Sequence, residues 1–216
     1  MVYHIDMAGK KKFTLLLASL LLISVILNFL LLYSQREENR VRRVVDGDSF
    51  DLAGGRRIRL LGLDAPEKNR CYFTEARERL KDLILGKIVT LKDTVTDNYG
   101  RTLANVYIKN TFVNQVLLEE GLTRFTYATS PYYEDLKANN LLAKKLKRGI
   151  YSPLCRTTSD NLDCLIKGNN NHSEKIYFLP TCRNYGQVIV DESFGDLWLC
   201  SEEEAIQGGF RPAPGC

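Results

Sequence analysis

Two short apolar runs, each leading into acidic residues, constrain the fold of this chain more than any other feature. The first spans residues 44–52 and contains an Asp-Gly turn, and the second spans residues 58–67. The second run is expected to end as a strand at Asp64, because Pro66 has no N–H for a ladder and keeps the residue before it extended. Asp48, just after the Asp-Gly turn, is therefore expected to meet Asp64 at neighbouring strand ends.

The residue types at these strand ends suit phosphoryl chemistry. Asp48 and Asp64 offer hard oxygen ligands at one place, which is what Ca²⁺ prefers. Arg59 presents a planar fork that fits a phosphate bidentately. Glu67 follows the turn and could hold or deprotonate a water. Hydrolysis of a phosphodiester needs neutralised non-bridging oxygens, an oriented water and a stabilised leaving oxygen, and these groups supply them.

The same residues, in their order, resemble the micrococcal (staphylococcal) nuclease family. Residues 46–49 follow its motif D-G-D-T/S, and residues 59–67 follow R-L-x-x-V/I/L-D-x-P-E. Two further blocks resemble the family at residues 97–104 and at residues 113–122, the second being its short helix after a hairpin. The resemblance covers about residues 40–152, and three ordered blocks are far more specific than one short pattern.

The resemblance implies a metal-dependent nuclease of the thermonuclease type, a hydrolase that acts as a monomer on DNA and also on RNA and leaves 3′-phosphates. Base specificity is expected to be low, because stacking and phosphate contacts carry little sequence information. In the implied mechanism one carboxylate orients or deprotonates the attacking water, and two arginines clamp the phosphate. The matched positions are the Ca²⁺ ligands Asp48, Asp64 and the Ala65 carbonyl; the catalytic residues Arg59, Glu67 and Arg101; and the substrate-binding residues Tyr99 and Tyr127.

Other interpretations of the same residues stay open. Singly, each has a structural explanation, since Asp-Gly is a common turn and Asp-x-Pro-Glu can cap one. A catalytically inactive nuclease-like module would bind nucleic acid without cleaving it, although such modules usually lose the carboxylates or arginines that are kept here. A surface interaction protein dominated by its cysteine-containing tail is the third interpretation. The histidines cannot support a histidine-based nuclease, because only His4 and His172 are present.

Three departures from the family pattern bear on substrate preference. Thr129 replaces an aromatic residue, which weakens one base contact, and Asn98 replaces a basic residue. The loop after Glu67 is short. These changes bear on substrate and rate more than on the type of reaction.

Hydrophobic periodicity and turn residues predict an α+β fold. Thr74 is a candidate N-cap, and Ser130 with Pro131 supplies an N-cap and an N1 proline. Five short strands with interspersed helices predict a small closed barrel, and the resembled family implies a five-stranded OB-fold barrel with about three helices. Strands are expected at about 41–46, 49–53, 57–63, 87–92 and 103–108, and helices at about 75–85, 113–120 and 131–148.

Residues 13–33 carry no charge and, as a helix, would span roughly 30 Å, the thickness of a bilayer core. Lysines at 10–12 precede the segment and favour a cytoplasmic N-terminus. A signal peptide is the alternative, but the run is long and no small-x-small cleavage site follows it. The sequence therefore predicts a single-pass cell-membrane anchor, a polar linker at 34–39 and a nuclease facing outside.

Six cysteines without a C-x-x-C pair, downstream of an export signal, indicate disulfides. Their connectivity is not fixed by spacing; Cys71 and Cys155 bracket the nuclease-like region and are one candidate pair. The other four lie in a tail that distantly resembles the four-cysteine zinc unit of the Ada DNA-repair protein, so zinc is an alternative there. The predicted domains are 1–35, 36–155 and 156–216. Residues 34–155 carry 22 Lys/Arg and 16 Asp/Glu, and such a basic surface suits a polyanion ligand.

Overall fold

A computed structural model describes residues 7–127, 130–159, 163–171 and 174–216, with side chains from residue 15 onward. His4, Thr129 and His172 lie outside the described residues, so the interpretations placed on them stay predictions. The structure mixes helices and sheets, which confirms the predicted α+β class. The helices are α1 (Met7–Glu38), α2 (Phe73–Ile84), α3 (Val113–Glu119), α4 (Tyr133–Lys145) and α5 (Glu202–Gln207).

Helix α1 is the apolar segment near the N-terminus. Within it, Leu15–Glu38 is long and apolar enough to cross a membrane and is not buried against the rest of the chain; a signal sequence shares these properties. The helix continues to Glu38, so the prediction of a polar linker at 34–39 is wrong. Residues 34–38 contain no glycine or proline and are mostly good helix formers, so nothing in them ends the helix.

The main sheet has six strands in the order β1-β2-β3-β6-β5, with β7 paired to β6. β1, β2 and β3 form an antiparallel meander, and β3 pairs with β6 in parallel. β4 and β8 form a separate antiparallel pair. These strands are β1 (Val41–Val44), β2 (Ser49–Leu52), β3 (Arg57–Leu60), β4 (Leu63–Asp64), β5 (Thr90–Thr96), β6 (Thr102–Ile108), β7 (Thr111–Phe112) and β8 (Arg124–Phe125).

The strand path is open, whereas the sequence predicted a closed five-stranded barrel. The start of β1 and the chain before β5 meet through an isolated bridge between Arg40 and Ile88, through backbone hydrogen bonds between residues 39–41 and 86–89, and through the Arg40 guanidinium, which donates to the Gly86 carbonyl. The difference arises because β5 begins at Thr90 rather than at residue 87. The residues that face β1 thus precede the strand instead of belonging to it.

The interior of this body packs helix α2 against the sheet. Ala76, Leu80 and Ile84 recur on one face of α2 and are buried, together with Phe50 and Ile58 of the sheet. This spacing places an apolar stripe toward the core. The contact holds the β2 and β3 strands, and the turns at their ends, in a fixed position.

The predicted N-caps of α2 and α4 are both wrong, each by two residues. Tyr72, with a φ of 66°, precedes α2, and Thr74 lies inside the helix. Helix α4 begins at Tyr133, and the Ser130 hydroxyl accepts a hydrogen bond from the Tyr132 N–H at 3.2 Å without capping the helix itself. At each helix start an aromatic residue, Tyr72 or Tyr132, occupies the cap position, and its side chain makes no capping hydrogen bond.

Residues 156–216, which we call the C-terminal module, form a four-stranded sheet of order β13-β10-β11-β14 and a separate β9–β12 pair. Tyr177, Leu199 and Phe210 belong to its own hydrophobic cluster. The Ser201 hydroxyl accepts a hydrogen bond from the Glu204 N–H at 3.1 Å and caps the start of α5. The strands are β9 (Arg156–Thr157), β10 (Ile166–Asn171), β11 (Glu174–Phe178), β12 (Val190–Asp191), β13 (Leu197–Leu199) and β14 (Arg211–Pro212).

All six cysteines are paired in the structure. The candidate pair Cys71–Cys155 is present and joins the start of α2 to the end of the body. The other two disulfides, Cys164–Cys200 and Cys182–Cys216, lie within the C-terminal module. The described residues therefore leave no free thiol for the zinc alternative.

The C-terminal module packs against the body beside β8. The Phe194 ring lies 3.6 Å from the guanidinium carbon of Arg124 and also packs against a small cluster that contains Ile150 and Tyr151. The Glu192 N–H donates to the Cys155 carbonyl at 2.9 Å. We call this contact between the body and the C-terminal module the seam.

Candidate active site

The two carboxylates predicted to meet are joined by one guanidinium. Asp48 precedes β2 and Asp64 ends β4, and both are buried, with exposed fractions of 2% and 9%. In β3, Arg59 donates from Nη1 to Asp48 Oδ1 at 2.9 Å and from Nη2 to Asp64 Oδ1 at 2.8 Å. The strand ends therefore place Arg59, Asp48 and Asp64 in direct contact.

The turn before Asp48 depends on a glycine. A Cβ on Gly47 would lie 2.7 Å from the Cβ of Ala76 and 2.8 Å from the Cβ of Ala65, which is too close for any side chain. This approach lets the Ala65 N–H donate to Asp48 Oδ2 at 2.8 Å. Asp46 supports the turn by accepting from the Asp48 N–H at 3.1 Å. The backbone that carries the predicted Ala65 ligand is thereby held against Asp48.

The electrostatics of Asp48 are set by burial. Burial raises the pKa of Asp48 to about 7, although the Arg59 guanidinium opposes the shift. The nearby Asp46 carboxylate raises this pKa further, whereas the Ser49 hydroxyl and the Ala65 N–H lower it by donating hydrogen bonds. More positive charge at this position would stabilise the ionised carboxylate.

Arg124 is a site residue that sequence reasoning missed. The β4–β8 register pairs Arg124 with Asp64. Its Nε and Nη2 lie 2.9 Å and 2.8 Å from Asp64 Oδ2. No motif marks Arg124, and only the pairing of two two-residue strands distant in sequence reveals it.

Three of the predicted site residues make their described contacts outside this cluster. Glu67 is exposed, and its carbonyl accepts from the Arg70 N–H at 3.0 Å in the turn after Asp64. Arg101 donates from Nε to Asp97 at 2.7 Å and lies 5.2 Å from the centre of the Tyr99 ring. Tyr99 is 85% exposed. None of these three side chains has a described contact with the Asp48 and Asp64 carboxylates.

The parallel pairing of β3 with β6 brings the start of β6 beside Arg59. Arg59 pairs with Leu103, and Arg101 precedes β6 directly, two residues before Leu103. That spacing is roughly 7 Å along the strand. A phosphate near Arg59 is thus within the general reach of the Arg101 side chain.

An open depression of about 330 Å³ lies beside the cluster. Arg59, Asp64 and Arg124 form its polar side, and Tyr127 and Asn171 border it. Tyr127 is 82% exposed and meets the Tyr133 ring edge-on at 5.7 Å. The depression therefore combines cationic groups with an exposed aromatic face.

The donor set can be tested against the predicted Ca²⁺. The described residues contain no cluster of three or more His, Cys, Asp or Glu side chains suited to a metal. Two buried carboxylates and a backbone carbonyl, from Asp48, Asp64 and Ala65, are nevertheless hard oxygen donors of the type that Ca²⁺ takes. In this structure Arg59 and Arg124 supply the positive charge that balances those carboxylates.

The fold and the site together define an α+β domain with a buried cluster of carboxylates and guanidinium groups. Residues 57–153 match the family described as "Staphylococcal nuclease homologue". The chain is 37% identical over 119 residues to an "Uncharacterized endonuclease" of Escherichia coli O157:H7, covering 52% of this chain and 76% of that protein. It is 30% identical over 125 residues to a "Micrococcal nuclease" of Shigella flexneri, covering 52% and 72%.

A third relative, an "Uncharacterized endonuclease" of Haemophilus influenzae, is 34% identical over 133 residues, covering 58% of this chain and 72% of that protein. The chain belongs to the staphylococcal nuclease family, whose domain is of the OB-fold type. The family match ends at residue 153, before the C-terminal module. These findings support a hydrolase with nuclease activity.

Proposed function

We propose that this protein is a Ca²⁺-dependent phosphodiesterase that hydrolyses DNA and RNA with low sequence specificity and leaves 3′-phosphates. The observation that carries the proposal is the Arg59 guanidinium between the buried Asp48 and Asp64 carboxylates, at 2.9 and 2.8 Å. Relatives named endonuclease and micrococcal nuclease support nucleic acid as the substrate.

Asp48, Asp64 and the Ala65 carbonyl are the groups that would hold the ion. Bound Ca²⁺ would supply charge neutralisation for the phosphate oxygens. Arg59 has one guanidinium and faces both carboxylates, so it can serve a phosphate only when another cation balances those carboxylates. This competition supports a metal requirement for productive binding.

The remaining groups act on the substrate and the water. Glu67 is exposed three residues after Asp64 and is free to orient a water or to take its proton. Arg101, which directly precedes the strand paired with β3, would hold the phosphate from the second side and assist the leaving oxygen. Tyr127 and Tyr99 are 82% and 85% exposed and offer faces on which bases of any identity can stack.

The proposal also includes the side of the membrane on which the nuclease acts. Helix α1 would serve as a retained anchor, with the lysines at 10–12 on the cytoplasmic side and the nuclease outside. Three disulfides agree with an oxidising environment. We propose that the protein acts there as a monomer.

The decisive experiment uses the full oxidised chain in nonionic detergent, with 5′-labelled single-stranded DNA and RNA, in Ca²⁺ or in EDTA. We expect both the DNA and the RNA to be degraded in Ca²⁺ and to stay intact in EDTA. The product ends are tested by polymerase extension, which a 3′-phosphate blocks until a phosphatase removes it. Cleavage that persists in EDTA, or products that extend without phosphatase, would contradict the proposal.

One observation favours a second candidate, a nuclease-like module that binds nucleic acid without cleaving it. Arg59 and Arg124 already neutralise the Asp48 and Asp64 carboxylates. If the arginines stay there, the site binds a strand but recruits no metal. Tight binding with no cleavage, in Ca²⁺ and in EDTA alike, is the result that would establish this candidate.

A further inference from the structure

A second cavity, of about 420 Å³, lies in the seam between helix α4 and the C-terminal module. We call it the seam cavity. No Asp or Glu is among the described residues that line it. Four cationic side chains line it: Lys144, Lys147, Arg156 and Lys167.

The positive charge around the seam cavity exceeds its local compensation. The Nε of Arg156 is buried without a hydrogen-bond partner among the described residues, and its Nη2 lies 3.3 Å from Asp191, outside the cavity lining. Burial lowers the pKa of Lys144, and the Arg156 charge lowers it further. An anion in the cavity would accept a hydrogen bond from the Arg156 Nε and would raise the pKa of Lys144.

An apolar wall stands beside these cations. The Trp198 indole N–H donates to the Thr157 hydroxyl at 3.1 Å, which fixes the ring. The Lys167 ammonium donates to two backbone carbonyls at 2.9 and 2.7 Å and lies 5.6 Å from the centre of the Trp198 ring. Ile189 is 54% exposed and extends the wall. A flat ring beside fixed cations matches a nucleobase with its phosphate.

The seam cavity is connected to the candidate active site through a middle depression of about 270 Å³. Arg156 and Ile189 line both the seam cavity and the middle depression. Arg124 and Asn171 line both the middle depression and the depression at Arg59. The three adjoining depressions thus form one path along the seam.

The carboxylates on this path are already engaged. Asp191 pairs with Arg156. Asp196 accepts from the Asn170 N–H at 2.8 Å and from the Asn169 amide at 3.2 Å, within the C-terminal module. The charge facing a strand on this path therefore comes mainly from arginine and lysine.

We propose that the seam cavity is an accessory subsite, which binds one nucleotide of a single strand whose scissile phosphate lies at Arg59. This inference rests on the proposed function, since it assigns the same substrate a second point of attachment. The C-terminal module thereby takes part in substrate binding. Long single strands are expected to bind more tightly than short ones, in a step at the length that reaches the seam.

The test uses the full chain in nonionic detergent with Ca²⁺, carrying Glu67→Gln so that the strand survives, and oligothymidylates of increasing length. Trp198 is the chain's one tryptophan, so its fluorescence reports occupancy of the seam cavity directly. We expect quenching only by oligothymidylates beyond the step length. A dinucleotide should leave the emission unchanged.

The variant Lys144→Gln with Lys147→Gln removes two exposed cations from the cavity. We expect it to bind long strands about tenfold less tightly and to reduce the slope of log affinity against log salt by about 0.7, since the subsite holds one nucleotide and each single-strand phosphate contact contributes roughly that much. Lys145→Gln with Lys109→Gln is the matched control. Each pair takes one lysine from α4 and one at a left-handed backbone position, φ 52° for Lys147 and 53° for Lys109.

Equal losses of strand affinity in the two double variants would overturn the subsite. Quenching of the Trp198 fluorescence by the dinucleotide would also overturn it, and so would a lack of quenching by long strands. The outcome for the proposed function is separate. Cleavage by the unmodified chain without any length-dependent quenching would defeat the subsite alone. Length-dependent quenching in a chain that cleaves nothing would defeat the proposed catalysis alone.

Discussion

At the scale of single residues, the site balances two buried carboxylates with two guanidinium groups. Arg59 contacts Asp48 and Asp64, and Arg124 contacts Asp64 from the other side. Removal of one partner from such a buried set leaves an uncompensated charge, which costs far more than the net value of the pair. Substitution of either arginine therefore tests stability as well as activity, so Glu67 is the cleaner position for testing chemistry.

The variant Glu67→Gln keeps the size of an exposed side chain and removes its basicity. We expect cleavage of single-stranded DNA to slow by at least ~100-fold, in line with general-base contributions, while strand affinity stays unchanged. Steady-state cleavage rates and equilibrium binding in Ca²⁺ are the measurements. Glu75→Gln, also exposed and near the start of α2, is the control and should cleave normally. A Glu67→Gln rate within a few-fold of the unmodified chain would remove Glu67 from the mechanism.

Asp48 makes stability depend on pH. Burial raises its pKa from 3.8 to about 7 despite Arg59. Between these values the folded chain binds more protons than the unfolded chain, so the Asp48 contribution is fully present below the lower value and is lost as pH rises through the upper one. Urea denaturation in EDTA is expected to show the free energy of unfolding falling by a few kcal/mol at most across this window.

The control for this pH dependence is Asp48→Asn, which carries no titrating group. Its free energy of unfolding should show a flatter pH profile over the same window, whatever its absolute stability. Asp46 also faces Asp48 and raises its pKa. Asp46→Asn should therefore shift the fall in the free energy of unfolding to lower pH. Identical pH profiles of the unmodified chain, Asp48→Asn and Asp46→Asn would mean that another group causes the pH dependence.

At the scale of elements, the sequence predicts which helices and strands exist better than where they end. The hairpin between β2 and β3 and the helix after residue 112 follow from local glycine and apolar patterns. The start of β5 does not, because residues 86–89 form backbone hydrogen bonds with residues 39–41, and this tertiary pairing overrides their alternation. Asp48, Arg59 and Asp64 were predictable because a motif carries them, whereas Arg124 depends on a register that no local pattern encodes.

A buried asparagine holds helix α3 to the strands that carry the site. Asn114 is fully buried, its Oδ1 accepts from the Val106 N–H at 2.9 Å, and its Nδ2 donates to the Leu61 carbonyl at 3.0 Å. Asn114→Ala would leave both backbone groups unpaired, and we expect a loss of roughly 3 kcal/mol. The measurement is the midpoint of chemical denaturation.

Gln115→Ala is the matched control for Asn114→Ala on the same helix. Gln115 is half-buried and donates only to the Glu119 carboxylate at 2.6 Å. Its loss should cost less than ~0.5 kcal/mol. Equal effects of the two variants would mean that helix propensity, rather than the buried hydrogen bonds, sets the cost.

At the scale of the whole molecule, the Cys71–Cys155 disulfide closes the body. It joins positions 84 residues apart, and loop-closure entropy for that length predicts a stabilisation of roughly 4–5 kcal/mol. Cys71→Ser with Cys155→Ser should therefore lower the thermal unfolding midpoint of the body and reduce cleavage, because Glu67 lies only four residues before Cys71. Thermal melting followed by circular dichroism is the measurement.

Cys182→Ser with Cys216→Ser is the control for that disulfide, since this pair lies within the C-terminal module. It should leave the unfolding midpoint of the body unchanged. A body equally destabilised by both double variants would show that the two parts unfold as one unit across the seam.

The seam itself was beyond prediction from the sequence. Arg124 meets Phe194, and the Cys155 carbonyl meets the Glu192 N–H, at separations that no periodic pattern spans. The sequence indicated a cysteine-containing tail, but not the surface on which that tail packs. The cations of the seam cavity are scattered along α4, the turn that follows it and the C-terminal module, so only their convergence in space gives them a common role.

Helix α1 passes into the body without a flexible joint. It runs to Glu38, and the Glu38 and Arg40 carbonyls accept from the Gly54 and Ala53 N–H groups at 3.1 and 2.8 Å. The residues of α1 beyond Tyr33 rise only roughly 8 Å. In a membrane the nuclease would therefore sit at a set height and tilt close to the lipid headgroups. A polymer would have to be presented to it at that surface, because the enzyme could not swing outward to search for one.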